Sequence, residues 1–244
     1  MCSTYEGRQT HQDIDRMMRS NFKDMSYGEN RFLYNVGDLA PVLQFGPKGY
    51  TVSEMHFKLV PNWSDTKDIK FSTHNARLVG TDKSGSDRPV FEAPSFRSAY
   101  KNGRVLVPMS SFIEPSYWGE LEGNMVTFAR KSKEPLFCAA ICDEWTDKKS
   151  GEIYSGYSLL VHTPYDVVLE GGHHRSPFFI SPQVFQEWAH IGDSQLSFDF
   201  LLANREAPDL SSSIQRPMAD GWQKRKMINM KKAIEEGLDI SKFA

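Results

Sequence analysis

The chain has few cysteines, no long apolar run and no excess of positive charge, and each shortage excludes a class of protein. Its 244 residues include three cysteines, an odd number that fits neither a disulfide framework nor a four-ligand zinc site. No apolar run approaches the roughly 20 residues that span a bilayer, and the N-terminus lacks the apolar core of a secretory signal. We therefore expect an intracellular protein with no membrane partner.

The charge balance excludes a protein that is basic throughout. Lys and Arg number 29 against 31 Asp and Glu, so the formal net charge is −2. Such a chain has no global field that attracts nucleic acid, and binding to phosphate requires a local patch or groove. One basic segment covers residues 216–232, with six Lys and Arg and one Asp. This segment either adds contacts to a nucleic acid or is the solvated face of a helix.

Hydrophobic patterning favours strands and helices in one domain. The chain is long enough to bury a sizeable core, and no repeat, low-complexity segment or linker divides it. Apolar spacing predicts helices over residues 11–25, 94–99, 182–188 and 221–236. Short apolar runs predict strands at residues 32–34, 42–45, 55–60, 104–108, 136–141 and 157–162. We predict a single α+β domain over residues 1–244, with a largely antiparallel, barrel-like β-sheet flanked by helices.

The first two residues, Met1 and Cys2, carry unusual chemistry if the methionine is removed. The new N-terminus is then a cysteine whose free amine and thiol lie on adjacent carbons. The amine condenses with an aldehyde to an imine, and the thiol closes on that imine to give a five-membered thiazolidine. Because such an amine titrates near pH ~8 and a free thiol near ~8.5, both are partly reactive at neutral pH. The structural alternative is that Cys2 is a small residue that merely permits removal of Met1.

Three polar motifs elsewhere in the chain have both structural and chemical interpretations. Asn75 stands two residues before Arg77, in a place where asparagine usually bonds its own backbone in a turn. Glu114 follows two apolar residues, so it is either exposed or partly buried with a raised pKa. His173 and Arg175 follow paired glycines, which let the backbone approach a ligand closely. The two adjacent histidines point apart and lack a third ligand, so we expect no metal site.

Taken in order, these motifs form a set that resembles a known protein family. The set consists of Cys2, Asn-Ala-Arg at 75–77, Pro-Ser-Phe-Arg at 94–97, Phe-Ile-Glu at 112–114 and His-x-Arg-x-Pro at 173–177. In order and spacing it resembles the SRAP family, the SOS response-associated peptidases, which are associated with abasic-site processing. The resemblance extends from residue 2 to about residue 190, and we expect residues 191–244 to form a C-terminal helical extension.

The resemblance implies a covalent reaction with abasic sites in single-stranded DNA, by a monomer and without a cofactor. The Cys2 amine would attack the open-chain sugar aldehyde, and the Cys2 thiol would close a thiazolidine cross-link. Asn75 would orient the N-terminal residue, and Glu114 would act as general acid and base. His173, with a pKa near the ordinary ~6.5, would move protons on the sugar side. Strand cleavage by β-elimination and self-removal of Met1 are implied as well.

The same resemblance implies which side chains contact DNA. Arg77 and Arg175 match basic positions that line the family's DNA channel, and Arg97 is a third, weaker match. Phe57 would stack on bases, with core packing as its alternative role. Binding through such a local cluster should weaken with salt.

Several positions depart from the family pattern. The chain has Ser3-Thr4 in place of Gly-Arg, Phe57-Lys58 in place of Trp-Gly, Val79 in place of glutamate and Pro115 in place of an aromatic residue. These changes concern the contacts with DNA more than the reactive centre.

Two other functions are compatible with the sequence. One is a non-catalytic single-stranded nucleic-acid-binding module on the same fold, and the other is an N-terminal cysteine hydrolase limited to autoproteolysis. A pure binding module has no need for Asn75, Glu114 and His173 beside Cys2. A hydrolase would require an oxyanion hole, which no motif supplies. The sequence therefore favours covalent capture of abasic sites.

Overall fold

Short strands and helices alternate along the chain in the computed structural model, which describes residues 2–9, 11–23, 31–82 and 84–243. The strands are β1 (Thr4–Gly7), β2 (Phe32–Asn35), β3 (Leu39–Gly46), β4 (Gly49–His56), β5 (Asn75–Arg77), β6 (Val79–Thr81), β7 (Asp87–Pro89), β8 (Arg104–Met109), β9 (Ser111–Pro115), β10 (Asn124–Arg130), β11 (Leu136–Thr146), β12 (Ile153–His162), β13 (Ser176–Pro177) and β14 (Leu210–Pro217). The helices are α1 (His11–Arg19), α2 (Arg97–Asn102), α3 (Asp166–Glu170), α4 (Pro182–His190), α5 (Ser194–Ala203) and α6 (Trp222–Glu235).

Five strands close into a barrel. Neighbouring strands follow the order β11-β8-β3-β4-β12, and β12 also pairs with β11, so the ring is closed. β5 and β13 attach to β12 outside this ring. The pairs β12–β4 and β12–β5 are parallel, whereas the other barrel pairs are antiparallel. The predicted α+β domain with a largely antiparallel, barrel-like sheet is confirmed.

A second, antiparallel sheet contributes to the same apolar core as the barrel. Its strand order is β14-β10-β9-β1-β2, so β1 is paired on both sides. Tyr5 on β1 contacts the ring of Phe57 at 5.4 Å between centroids, and its hydroxyl lies 2.6 Å from that of Tyr157 on β12. Cys2, just before β1, belongs to this buried cluster. The packing of the two sheets therefore removes Cys2 and Tyr5 from water.

The sequence did not predict β1, β9, β10 or β14, because apolar and polar residues alternate in these strands over three residues at most, as at residues 126–128 of β10. β9 is almost wholly buried although it includes Glu114. β14 is an edge strand that is exposed from Ser211 to Pro217, so it has no apolar face. Pairing with neighbours, rather than local pattern, makes these segments strands.

The C-terminal segment, expected to be a helical extension over residues 191–244, includes a strand as well. β14 pairs along its whole length with β10, so this segment completes the second sheet. The basic segment 216–232 begins at the end of β14 and continues into α6. α6 packs through Ala233 in a small apolar cluster, and Lys226 Nζ lies 2.7 Å from Glu122 Oε1.

Local signals determine some helix ends and not others. α4 begins at Pro182 as predicted, with Ser181 as the N-cap that accepts a backbone hydrogen bond. α1 ends at Arg19, before the predicted end at residue 25, which lies outside the described residues. α2 begins at Arg97 instead of residue 94. Among the residues described, none of the helices has the length and hydropathy that a bilayer span requires.

Candidate active site

Three polar side chains from distant parts of the sequence meet at Cys2. Asn75 lies on β5, Glu114 on β9 and His173 in the turn after α3. The exposed fraction is 0% for Cys2 and His173, 1% for Glu114 and 5% for Asn75. The Asn75 side-chain amide donates a 2.8 Å hydrogen bond to the Cys2 carbonyl oxygen. The structure thus brings together the four residues that the sequence proposes as catalytic.

The pairing of β1 with β9 brings Cys2 beside Glu114. Thr4 lies opposite Ile113, so the residues that precede Thr4 lie alongside the end of β9. Burial raises the pKa of the Cys2 thiol well above its ordinary value, and the nearby Glu114 carboxylate raises it further. The thiol Sγ lies 3.4 Å from the Thr4 carbonyl oxygen. A thiol in this environment is protonated at neutral pH and needs a base in order to react.

The position of His173 depends on the glycine that precedes it. Gly172 has a φ of +89°, and a Cβ added there would overlap Ser116 Oγ. The Tyr117 amide donates a 2.8 Å hydrogen bond to the Gly172 carbonyl. The prediction that the paired glycines approach a ligand is therefore corrected for Gly172, because this residue approaches the backbone that follows Glu114. This contact holds His173 near Glu114.

Glu114 and His173 form a buried pair of titratable side chains. Glu114 Oε2 lies 3.6 Å from His173 Nε2, and His173 Nδ1 lies 3.0 Å from the Arg175 carbonyl oxygen. Because a carbonyl oxygen only accepts, Nδ1 carries the proton, and Nε2 of the neutral ring faces the carboxyl group. Burial raises the pKa of Glu114 to about 7 and lowers that of His173 well below its ordinary value. Near neutral pH His173 is therefore neutral while Glu114 titrates, which corrects the expected pKa of His173 near ~6.5.

A cleft of about 260 Å³ opens beside these buried residues. Ser3 and Pro115, the chain neighbours of Cys2 and Glu114, both line it. The cleft is otherwise lined by His74, Arg77, Tyr117, Met125, His174, Arg225, Asn229 and Lys232. Among the residues that the structure describes, no carboxylate lines the cleft. It is therefore a basic opening that leads toward the reactive residues.

The three arginines predicted to contact DNA differ in their surroundings. Arg77 is half-buried at the end of β5 and lines the cleft. Arg175 is buried, which lowers its pKa to about 9, and its guanidinium is paired with the Glu236 carboxylate. Arg97 is exposed at the start of α2 and does not line the cleft. Of the three, Arg77 has the most direct position for a strand that enters the cleft.

Phe57 lacks the exposed face that base stacking requires. Its exposed fraction is 0%, and its ring stacks on Tyr157 at 5.3 Å and contacts Tyr5 at 5.4 Å. The predicted stacking role of Phe57 is therefore corrected, because its ring is part of the core. Tyr117, in contrast, lines the cleft.

The sequence did not assign four of the basic side chains that line the cleft: His74, His174, Arg225 and Lys232. Burial lowers the pKa of His74 to about 4 and that of His174 to about 2, so both rings are neutral at pH 7. Arg225 and Lys232 belong to α6, and the basic composition of residues 216–232 was the only signal for them. Nothing in that composition indicates which of its cations face the cleft.

The site provides no evident place for a metal. Within the described ranges, no three His, Cys, Asp or Glu side chains converge as a metal site would require. Cys138 and Cys142 are buried, and burial raises the pKa of both thiols, that of Cys142 to about 12 with a further contribution from the Asp143 and Glu144 carboxylates. Neither residue is a thiolate at neutral pH.

Comparison with known proteins identifies the family. Residues 1–213 match the family described as SOS response associated peptidase (SRAP). A protein from Bacteroides thetaiotaomicron has a similar structure, with a TM-score of 0.65, 18% identity, and coverage of 91% of this chain and 94% of that chain. A protein from Bordetella bronchiseptica gives 0.66 at 18% identity, with coverage of 88% and 100%. A phage-related protein from the same organism gives 0.60 at 15% identity, with coverage of 88% and 94%.

The structural similarities establish a shared fold, because the identities are low. A search of curated protein sequences returns no match. The family match, in contrast, covers most of the sequence and includes Cys2 and the three candidate residues Asn75, Glu114 and His173. The chain therefore belongs to the SRAP family, and this membership associates it with the SOS response to DNA damage and with abasic sites in DNA.

Proposed function

We propose that the chain, after removal of Met1, captures abasic sites in single-stranded DNA as a thiazolidine between Cys2 and the open-chain sugar. The Cys2 nitrogen attacks C1′ of the aldehyde and forms a carbinolamine. The C1′–O bond then breaks, one water leaves, and a C1′=N imine remains. The thiol sulfur adds to the imine carbon, and its proton passes to the nitrogen. The reaction releases one water overall and needs no oxidant or reductant.

Each buried side chain has a distinct part in this scheme. Asn75 holds the Cys2 carbonyl by the 2.8 Å hydrogen bond, which orients the amine and thiol. Glu114, with a pKa near 7, donates the proton that leaves with water and then accepts the proton of the thiol. His173 presents Nε2 to Glu114 and transfers protons between the carboxyl group and the sugar. The same imine acidifies the sugar C2′ hydrogen, which gives a route to strand cleavage by β-elimination.

The observation that carries the proposal is the convergence of Asn75, Glu114 and His173 on Cys2. A core position without chemistry would more simply be filled by apolar side chains than by a carboxylic acid, an imidazole and an amide, because moving polar groups out of water costs free energy. A non-catalytic binding module would have no use for a carboxyl group whose pKa is shifted to the working pH. The proposal therefore concerns a reactive site as well as a binding cleft.

The test uses the mature protein and an oligonucleotide with one abasic site. Intact mass spectrometry first establishes that Met1 is absent. The protein is then mixed with single-stranded abasic DNA, and the products are denatured and separated on a gel. We expect a denaturation-resistant adduct whose mass equals protein plus DNA minus one water. Undamaged DNA of the same sequence is the control and should give no adduct.

The Cys2→Ala variant separates the two halves of the mechanism. Its N-terminal amine still forms an imine, which borohydride reduces to a stable adduct. Without borohydride the variant gives no adduct that survives denaturation, because it has no sulfur to close the thiazolidine. A stable adduct with Cys2→Ala, formed through a lysine, would exclude Cys2 as the nucleophile. DNA binding by the wild type without any adduct would favour the non-catalytic binding module. Removal of Met1 without reaction on DNA would favour the autoproteolytic hydrolase.

A further inference from the structure

α6 forms one wall of the cleft through a single stripe of side chains. Arg225, Asn229 and Lys232 all line the cleft, and their i, i+4 and i+7 spacing places them on one face of the helix. α6 begins at Trp222, beyond residue 213 where the family match ends. This wall therefore comes from a part of the chain that the family match does not include.

Other faces of α6 hold this stripe in place. Ala233 is fully buried and belongs to an apolar cluster with Tyr117 and Trp118. Lys226 Nζ forms an ion pair with Glu122 Oε1 at 2.7 Å. Because Tyr117 also lines the cleft, the packing of α6 fixes its stripe relative to the cleft. The stripe is therefore part of the folded domain and not a face of a detached basic helix.

The cations that line the cleft do not form ion pairs with carboxylates of the described residues. Within the described part of the chain, no carboxylate lies at ion-pair distance from Arg77, Arg225 or Lys232. Burial lowers the pKa of Lys232, the charges of Arg77 and Arg175 lower it further, and the Glu235 carboxylate offsets only part of this effect. Burial also lowers the pKa of His174, with the same cations adding to the effect. These cations repel one another across the cleft, and an anion between them would relieve that repulsion.

The spacing along α6 suits an extended polyanion. Arg225 and Lys232 are seven positions apart, which is about 10 Å along an α-helix at about 1.5 Å per residue. Two cations at this separation can each contact a different phosphate of one DNA strand. A single small anion could not contact both. The strand must also enter this cleft if its sugar is to meet Cys2, since Ser3 and Pro115 line it.

We propose that Arg225 and Lys232 bind the phosphodiester groups that flank the abasic sugar of single-stranded DNA, opposite Arg77. This inference rests on the proposed function, because it assigns the sugar to the reactive residues and its neighbouring phosphates to α6. Contacts of this kind are independent of base identity and contribute affinity that falls with salt. The two side chains act in binding and leave the chemical step to the buried residues.

The test compares three cleft variants, Arg225→Gln, Lys232→Gln and the double variant that combines them, with the control variant Lys231→Gln. Lys231 is exposed on the same helix and pairs with Glu235 at 3.7 Å, so its substitution removes one charge without altering the cleft. Binding of each full-length protein to undamaged single-stranded DNA is measured by fluorescence anisotropy over a range of salt concentrations. Thermal unfolding verifies that each variant is folded.

We expect Arg225→Gln and Lys232→Gln each to bind single-stranded DNA about 3- to 10-fold more weakly, with a salt dependence shallower by about 0.7 in log K against log salt. In the double variant the slope should change by about twice this amount. Lys231→Gln should match the wild type, and Lys232→Arg should retain the wild-type slope. If Arg225→Gln and Lys232→Gln both behave like Lys231→Gln, the assignment of α6 to phosphate binding is overturned. Equal weakening by Arg225→Gln, Lys232→Gln and Lys231→Gln would also overturn it, because the effect would then be one of net charge alone.

A second substrate distinguishes this inference from the proposed function. Free 2-deoxyribose has the aldehyde but lacks flanking phosphates, and its addition to the mature protein is followed by intact mass spectrometry. We expect the control Lys231→Gln to react with both substrates at the wild-type rate. In the cleft variants the rate of cross-linking to subsaturating abasic DNA should fall 3-fold or more relative to their rate with 2-deoxyribose. If the wild type reacts with neither 2-deoxyribose nor abasic DNA, the proposed function is refuted. A normal wild-type reaction with unchanged cross-linking by the cleft variants would refute the role of α6 alone.

Discussion

At the scale of single residues, burial rather than residue type decides what Glu114 and His173 do. Both side chains are removed from water, and burial disfavours the charged form of each. The pKa of the acid therefore rises while that of the histidine falls, so the carboxyl group is the one that titrates near neutral pH. A sequence shows the two residues, but it does not show the exclusion of water. That exclusion places the pKa of the carboxyl group above the pKa of the histidine.

The shift of Glu114 predicts a pH-dependent cost in stability. Its pKa rises from 4.5 unfolded to about 7 folded, so the folded state binds more protons across this interval and stability falls as pH rises through it. We expect Glu114→Gln to gain roughly 2 kcal/mol of unfolding free energy relative to the wild type between about pH 5 and pH 8. Urea unfolding of both proteins at these two pH values measures the difference. A difference that is independent of pH would show that Glu114 titrates normally.

At the scale of elements, the segment after β14 closes over the candidate site. α6 supplies Arg225 and Lys232 to the cleft, and Glu236 just beyond it pairs with the buried Arg175. The sequence predicts that Arg175 contacts DNA, but in the structure its guanidinium is already paired with the Glu236 carboxylate. A phosphate that binds Arg175 must displace this carboxylate.

This ion pair predicts a gain of DNA binding on substitution. Glu236→Gln leaves the Arg175 guanidinium without its carboxylate, so it is free to pair with phosphate. We expect about 3-fold tighter binding to single-stranded DNA and a salt dependence steeper by about 0.7. Glu152→Gln, which disrupts the exposed pair with Lys67, is the matched control and should leave both quantities unchanged. Unaltered binding by Glu236→Gln would mean that Arg175 has a structural role.

At the scale of the whole molecule, the two sheets form one core around the N-terminal residues. β1 joins the second sheet, yet its Tyr5 packs against Phe57 and Tyr157 near the barrel. The reactive residues are therefore positioned by the packing of the entire domain and not by a local loop. Substitutions in this shared core should affect stability first.

The shared core predicts that Phe57→Ala acts on folding. Removal of a fully buried aromatic ring leaves a cavity, and we expect a loss of about 3–5 kcal/mol of unfolding free energy. Met227→Ala on the exposed side of α6, where the side chain is 69% exposed, should change stability by about 0.5 kcal/mol or less. Denaturant midpoints measure both effects. Wild-type stability of Phe57→Ala together with weakened DNA binding would restore the stacking role.

The sequence by itself determined the α+β class, the family and many of the elements. The proline at 182 and the apolar runs of β8, β11 and β12 are local signals, so their structures follow from neighbours in the chain. The four residues proposed as catalytic also came from the sequence, through the resemblance of ordered motifs. Their roles stay predictions, while their proximity is a finding of the structure.

Only the tertiary structure decided the closure of the barrel, the burial of Phe57, the partner of Arg175 and the position of α6 over the cleft. Periodicity reports which residues avoid water but not which distant residues they meet. β9 illustrates this limit, because its carboxylate and its apolar neighbours are buried together only after strands far apart in the chain have paired. The pKa values follow from that burial, so the chemistry of the site is a property of the folded molecule.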